Sequence, residues 1–520
     1  MPITVELPPD PGTSQSLLQS IYLSGLAEPP PLCTGMGRCG RCRVRFPGDA
    51  SPVLPQDKAI LSQELLEQGW RLSCCRPPLP GTKLELPKGT RLPDNISPNP
   101  AHPVHYPPTM DLAVDFGSSS LHFAAVDPAL PQENDPQMAE GILINPQMGA
   151  GGDVLSRVAF ALEPEGLQRL SRLSRAALAR MLEQTQNRHK RGVREICLAG
   201  NSAMTHLFLG LIPSGLAAAP YHLDYRGGDY AHLPDLPPVW VAPLSGPFIG
   251  GDLSAGYAAL AFGKKAAYPF MLADLGTNGE FILALSPEET LAASLPLGPA
   301  LEGAGMCCGA AAGPGVVTGF TLSPQGPEPI LFTSAYWGGP ALGISGSGYL
   351  SLIRCLLQAD LLRADGGFST KPPTPLGKRL AKRLRLTPQE KIWEIGPQGT
   401  LYLAASDVEE MLKIRASFTM TMHSLLEAAS LGFADLQALY LAGSLGSHTS
   451  AADLEALAFI PPGGSAKIRT AGNTSLSGAT LLCRQPELRQ KLIRWASRVQ
   501  ILNLPEQPNF LRRFAAEMHF

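Results

Sequence analysis

With 520 residues, 44% of them hydrophobic and 17% charged, and a formal net charge of −2, the chain reads as a globular protein of two to four domains. It has no basic excess of the kind nucleic-acid binders carry and no uncharged apolar run of about 18 residues, so neither nucleic acid nor a membrane span is expected. The start, MPITVELPPD, has no charged segment ahead of an apolar run, which predicts a cytoplasmic protein.

In chain order, ITVEL predicts a strand and SQSLLQSIYLSG an amphipathic helix. CTGMGRCGRC follows, with Cys33, Cys39 and Cys42 among glycines, then the strands CRVRF and KLELP. Five of the ten cysteines fall within residues 33–75 of a long chain without an export signal, which favours a metal site over disulfides. Gly35, Gly37 and Gly40 permit the tight backbone that a metal-wrapping loop needs. A four-cysteine zinc site is the rival reading, although zinc ribbons pair two close doublets and here three cysteines share one loop. Cys197, Cys307, Cys308, Cys355 and Cys483 are scattered and predict buried thiols.

The spacing, five residues and then two, resembles that of β-grasp [2Fe–2S] ferredoxins, with one residue more in the first gap than in the plant type. QDKAILSQELLEQGWRLSC is similar to the stretch bearing the fourth ligand in such domains. The resemblance implies Cys33, Cys39, Cys42 and Cys74 as cluster ligands, leaves Cys75 as an extra, and marks residues 1–87 as a ferredoxin-like domain whose first hairpin is cut short. Residues 88–110 hold six prolines and no apolar period, which predicts a stiff linker.

Beyond it the chain repeats itself. DLAVDFGSSSLHFAAV (111–126) and FMLADLGTNGEFILAL (270–285) each place an Asp-x-Gly turn between two apolar strands. ICLAGNSAMTHLFLG and LYLAGSLGSHTS share a strand running into Leu-Ala-Gly, and GGDLSAGYAAL echoes GNTSLSGATLL, in the same order. Such Gly/Ser/Thr turns present N–H groups to phosphates, and the paired Asp115 and Asp274 suit Mg²⁺ held through its water shell. The reading is of two nucleotide-binding subdomains, 111–265 and 266–520, with a nucleotide in the cleft between them and an insertion around 360–405 in the second.

Residues 111–520 resemble the acetate/sugar kinase, Hsp70 and actin (ASKHA, ribonuclease H-like) superfamily. NPQMGAGGDVLSR, LADLGTNGE, GPALEGAGM, GISGSGY, LAGSLG and AGNTSLSGA, behind a [2Fe–2S] domain, are similar to the ATP-dependent reductive activators of corrinoid proteins. The whole is then a multidomain α/β protein, a β-grasp ferredoxin domain joined to a duplicated ATPase. The resemblance implies one-electron reduction of cob(II)amide to cob(I)amide in a corrinoid protein of a methyl-transfer system. It further implies a [2Fe–2S] cluster, ATP with Mg²⁺ and a low-potential electron donor, and leaves a homodimer open. Carried over by residue, Gly117, Ser118 and Ser119 line the first phosphate turn and Gly276, Thr277 and Asn278 the second. Asp115 and Asp274 face Mg²⁺, Gly443, Ser444 and Gly446 border the adenosine, and Glu302, with Glu280 beside the second turn, is a candidate for orienting the attacking water. The sequence departs from the family in its serine-rich first turn, in Ser345 where cysteine is frequent, and in lacking a domain common between the ferredoxin and ATPase parts.

Asn145, Gln147 and Asp153 form a polar block suited to contacting phosphate-bound water, and capping the following helix is an equally good use for Asp153. His206 and His448 read as loop residues, Cys307–Cys308 as thiols, and GKRLAKRLRLTPQEK as a solvated helix face and candidate docking surface. Two other functions fit the same domains: a small-molecule kinase with a redox-sensing ferredoxin, and a non-catalytic redox-responsive nucleotide binder.

Overall fold

The computed structural model describes residues 3–7, 16–27, 37, 40–48, 51–88, 90, 106–129, 139–276, 278–302, 305–310, 312–313, 315–332, 341–395, 401–443 and 449–520. They form two compact units, Met1–Lys264 with Ser475–Ser497, and Lys265–Thr474 with Arg498–Phe520.

The first unit opens with β1 (Ile3–Glu6), α1 (Leu17–Leu23), β2 (Arg43–Arg45), α2 (Pro55–Ile60), α3 (Gln63–Glu67), β3 (Trp70–Leu72) and β4 (Lys83–Leu86). The strands form one sheet in the order β1-β4-β2-β3, every neighbouring pair antiparallel. Ser16 caps α1 by accepting from the Gln19 N–H, and the apolar face that begins there buries Leu17, Leu18 and Ile21 with Val44, Leu72 and Leu84. Of the predicted linker, residues 91–105 lie outside the described residues, and Pro108–Met110 already belong to the next strand.

That strand, β5 (Pro108–Phe116), runs into β6 (Ser120–Val126) and β7 (Ala139–Ile144). Next come α4 (Val154–Leu162), α5 (Gly166–His189), β8 (Gly192–Gly200), α6 (Ser202–Leu209), β9 (Tyr230–Ala231), β10 (Val239–Val241) and α7 (Gly251–Ala258). Their sheet has the order β7-β6-β5-β8-β10-β9, with β5 and β8 parallel and central. A central strand covered on both faces needs an apolar run, which Leu112–Val114 supplies, and the buried Asp111 just before it is paired with Arg194 (2.6 Å).

The second unit repeats the arrangement. β11 (Phe270–Leu275), β12 (Asn278–Ala284) and β13 (Thr290–Pro296) form the same antiparallel meander. Between that meander and the strands that complete its sheet lie two small antiparallel additions. One pairs β14 (Val316–Ser323) with β15 (Gly326–Leu331) and adds β16 (Gly343–Ile344) in parallel, before α8 (Gly346–Gln358). The other, within the predicted insertion, follows α9 (Pro375–Leu380) and joins β17 (Leu384–Leu386), β18 (Lys391–Ile395) and β19 (Leu401–Ala404) before α10 (Ala405–Ala428). β20 (Ala438–Ala442) pairs in parallel with β11, β21 (Ile468–Gly472) with β20, and β22 (Gln500–Ile501) closes the far edge.

One part of the predicted division is corrected. The helices Thr474–Arg484 and Leu488–Ala496 follow the second repeat in sequence, yet residues 475–497 pack with the first unit. Gly478 explains part of this, because any side chain there would strike the Ala255 carbonyl of α7, so the two echoed segments cross at a bare glycine. Trp495 stacks on Tyr257 at 4.0 Å, and Arg489 bridges Glu195 (2.6 Å) and Tyr230 (2.7 Å) from within the same packing. The basic run is corrected too: only residues up to Leu380 are α-helical, and Leu384–Leu386 is a strand.

Candidate functional site

The pairing of β2 with β3 sets Arg43 opposite Leu72 and so brings Cys42 beside the 3₁₀ turn Ser73–Cys75. Ser73 donates to the Cys42 carbonyl from both its backbone N–H (3.1 Å) and its hydroxyl (2.7 Å). The Cys42 and Cys74 sulfurs lie 3.2 Å apart, and that contact, followed by burial, pushes the Cys74 thiol far above its ordinary pKa. Deprotonating both would set two thiolates side by side, and a positively charged metal centre bound by them would relieve that repulsion, so the donors present would fit a cluster. Cys33 and Cys39 lie outside the described residues, among which no three metal-binding side chains converge. Gly37, at φ +69°, faces Cys75: a methyl group there would sit 2.8 Å from the Cys75 sulfur, itself 3.6 Å from that of Cys74.

In the first ATPase half, Asp115 stands near the end of β5 and accepts from the Ser475 hydroxyl (2.8 Å). Sequence reasoning missed Ser475 as a site residue, although it lies within the echoed AGNTSLSGA. The turn at Gly117–Ser119 is gripped through its carbonyls. Asn145 Nδ2 donates to the Gly117 carbonyl (2.8 Å), Arg157 Nη1 to that of Ser118 (2.6 Å) and the Asn145 N–H to that of Ser119 (3.0 Å). Asn145 and Arg157 are fully buried, and Arg157 Nε also binds the Gly151 carbonyl (2.7 Å). Gln147 turns to the Leu170 carbonyl (3.2 Å), and Asp153 caps α4 at the Ser156 N–H (2.8 Å).

In the second half, Asp274 on β11 lies directly across from the buried Glu280 on β12. Like charges facing each other across a strand pair are unfavourable, and a divalent cation relieves that cost. The turn is one residue shorter than the first: Asp274 faces Glu280, whereas Asp115 faces His122. Gly443, beyond β20, has φ +81°, and a methyl group on it would sit 2.6 Å from Asp274 Oδ1 and 2.8 Å from the Leu275 carbonyl oxygen. Only glycine lets the backbone come so close to that carboxylate. Gly276 closes its turn by donating to the Asn278 carbonyl (3.1 Å), whereas Thr277, Ser444, Gly446 and His448 lie outside the described residues. Glu302 ends the 3₁₀ turn Pro299–Glu302, and Ser345 caps α8.

Three of the scattered cysteines, Cys197, Cys355 and Cys483, are buried as expected. Cys307 is not: it is exposed, its N–H tied to Asp407 (2.8 Å), while Cys308 is half-buried. The segment between the turn Pro299–Glu302 and β14 carries its backbone at Cys307 to the Asp407 carboxylate in the first turn of α10 instead of into the core. His206 is buried with Nδ1 on the Ser202 carbonyl (2.7 Å), and burial lowers its pKa, so it is a packed helix residue and not part of a loop.

Comparison with known proteins agrees with this geometry. Residues 110–265 match the RACo middle region, and residues 269–520 match the C-terminal domain of RACo, the ASKHA domain. The chain belongs to the RACo family. It is 29% identical over 358 residues, 65% of its length, to the corrinoid activation enzyme RamQ of Eubacterium limosum. Over 62 residues, 12% of its length, it is 44% identical to a component of the Na(+)-translocating NADH-quinone reductase of Chlamydia trachomatis. It spans 59% of the first relative and 14% of the second. Its fold matches a solved reductive activator for corrinoid, iron-sulfur protein with a TM-score of 0.68 at 19% identity, covering 97% of this chain and 95% of that one. The ATPase part therefore has the ASKHA fold, with the β5/β8 and β11/β20 pairs as its duplicated centres.

Proposed function

We propose that the protein reactivates a corrinoid protein of a methyl-transfer system by reducing inactive cob(II)amide to cob(I)amide, driven by ATP hydrolysis, with Cys33, Cys39, Cys42 and Cys74 holding a [2Fe–2S] cluster. The observation that carries this reading is one chain that pairs the converged Cys42 and Cys74 sulfurs with two Asp-bearing turns of the ASKHA fold. When bound, such a cluster supplies one-electron chemistry at a low potential.

The rest falls to the chain's own groups. The Gly117–Ser119 carbonyls are taken up by Asn145 and Arg157, which holds that turn in one shape for phosphate oxygens to approach its backbone. Asp115, steadied by Ser475, and Asp274, opposite Glu280, orient Mg²⁺-bound water, and Glu302 serves to orient the attacking water. ATP is required because plant-type clusters sit near about −400 mV, and cob(II)amide in its resting coordination is harder to reduce than that. Binding that favours the reduced partner by about a thousandfold is worth roughly 4 kcal/mol, or about 180 mV for one electron. Nucleotide-linked closure of the kind this superfamily uses is the source of that preference.

The test is phosphate release from Mg-ATP in the presence of a cob(II)amide-loaded corrinoid protein. Asp274→Ala abolishes hydrolysis, while Cys42→Ser hydrolyses ATP but leaves the cobalt oxidised. Hydrolysis by Asp274→Ala at the wild-type rate would remove that residue from the site and the reading with it.

A further inference from the structure

The segment that grips the first phosphate turn has a second face. At the 3₁₀ turn Pro146–Gly149 it meets α1 of the N-terminal domain so closely that a methyl group on Gly149 would sit 2.8 Å from Tyr22 Cβ. Gln19 Nε2 reaches the Ala150 carbonyl (3.5 Å), and Arg169 Nε on α5 donates to the Leu23 carbonyl at the end of α1 (3.1 Å). Leu23 itself is 3% exposed and packs into the apolar core of the first ATPase half. The seat is incompletely filled: a cavity of about 60 Å³ remains beside Tyr22, Ala27, Leu143 and Ala177, room for several waters. A contact built on Tyr22, Leu23 and side-chain hydrogen bonds that include those of Gln19 and Arg169, with space left over, suits a domain that docks and releases.

Resting on the nucleotide reading above, we infer that residues 145–157 form a docking surface for helix α1 whose two faces work together. One face, through Asn145 and Arg157, sets the turn that receives phosphate, and the other, through Gly149, Ala150 and the adjoining Arg169, seats the N-terminal domain. Nucleotide at the turn orders the segment and tightens the seat. By reciprocity, a docked N-terminal domain tightens nucleotide binding by the same factor. The domain bearing Cys42 and Cys74 thus senses ATP through a direct chain of contacts, without passage through the rest of the molecule.

The test uses the full chain and a non-hydrolysable ATP analogue with Mg²⁺. Two variants loosen the seat without touching the turn: Gly149→Ile, which pushes on Tyr22, and Arg169→Ala, which drops the bond to Leu23. Each binds the analogue about fivefold or more weakly than wild type. In wild type the analogue slows amide hydrogen exchange over residues 17–23. In Asn145→Asp, which keeps the acceptor that caps Gln147 but loses the donor to Gly117, the analogue does not slow it. Unchanged affinity in both seat variants, together with exchange over 17–23 that ignores nucleotide, would overturn the linkage. Wild-type affinity separates the two claims: tight binding with no variant effect sinks only the linkage, whereas no binding at all sinks the nucleotide reading as well.

Discussion

Asp57 offers the sharpest test of how the N-terminal domain holds its cysteines. Its carboxylate is fully buried and accepts four hydrogen bonds: from the N–H groups of Leu54 and Leu72 (each 2.8 Å) and from Arg76 Nη1 (3.1 Å) and Nη2 (2.7 Å). Arg76 in turn donates to the Leu72 and Pro52 carbonyls (2.9 and 2.7 Å), so the pair clamps both sides of the turn that presents Cys74. Asp57→Ala leaves a buried guanidinium without its counter-ion, which costs about 3–5 kcal/mol. A domain of this size has a total stability of roughly 4–13 kcal/mol, so the loss is about a quarter of it or more. The corresponding fall in midpoint is about 12 °C or more, followed as loss of visible cluster absorbance on heating the reconstituted protein. Retention of the absorbance to within about 3 °C of wild type would refute the assignment of Asp57 and Arg76 as the clamp.

Three further outcomes follow from the same geometry. Burial alone would raise the Asp57 pKa, but the bonds from Arg76 and the two N–H groups outweigh it and hold the carboxyl below its ordinary range. The stabilisation is therefore complete above the unfolded value of about 3.9 and lost as pH falls below it, so the stability gap between wild type and Asp57→Asn closes in acid below about pH 4; a gap constant down to pH 3 would contradict the sign. Cys74→Ser loses iron on reconstitution while Cys75→Ser keeps it, measured as iron and sulfide per chain, and equal loss in both would make Cys75 a ligand. Gly443→Ala, which adds left-handed backbone strain of about 1–2 kcal/mol and a methyl group against Asp274, weakens Mg-ATP binding about tenfold in titration calorimetry; unchanged affinity would place Gly443 away from the nucleotide.

Much of the ATPase architecture was legible because its central strands carry their own signature. Apolar runs that stop at Asp-x-Gly, and strands that end in Leu-Ala-Gly, marked β5, β8, β11 and β20 before any packing was known. What sequence order could not convey is which half a late helix joins. The crossing at Gly478 and Ala255 depends on two helices meeting in space, and nothing local to either reveals it. Arg157 was overlooked for a related reason. A lone arginine on a helix ordinarily reads as solvated, and its burial comes from carbonyls at Gly151 and Ser118 that only the folded turn gathers around it. β3 escaped notice because three residues after a helix show no alternation to count, yet it is what brings Cys74 to Cys42. The exposure of Cys307 ran against the average behaviour of cysteine, since the backbone around it is held by Asp407.

The measurement that bears most directly on the whole account is anaerobic absorbance of the reconstituted, reduced protein mixed with a cob(II)amide-loaded corrinoid protein, with and without Mg-ATP. Cob(II)amide is expected to convert to cob(I)amide only when ATP is present, and not at all with Asp274→Ala. Equal rates with and without ATP, or no cob(I)amide despite a full cluster and active hydrolysis, would contradict it.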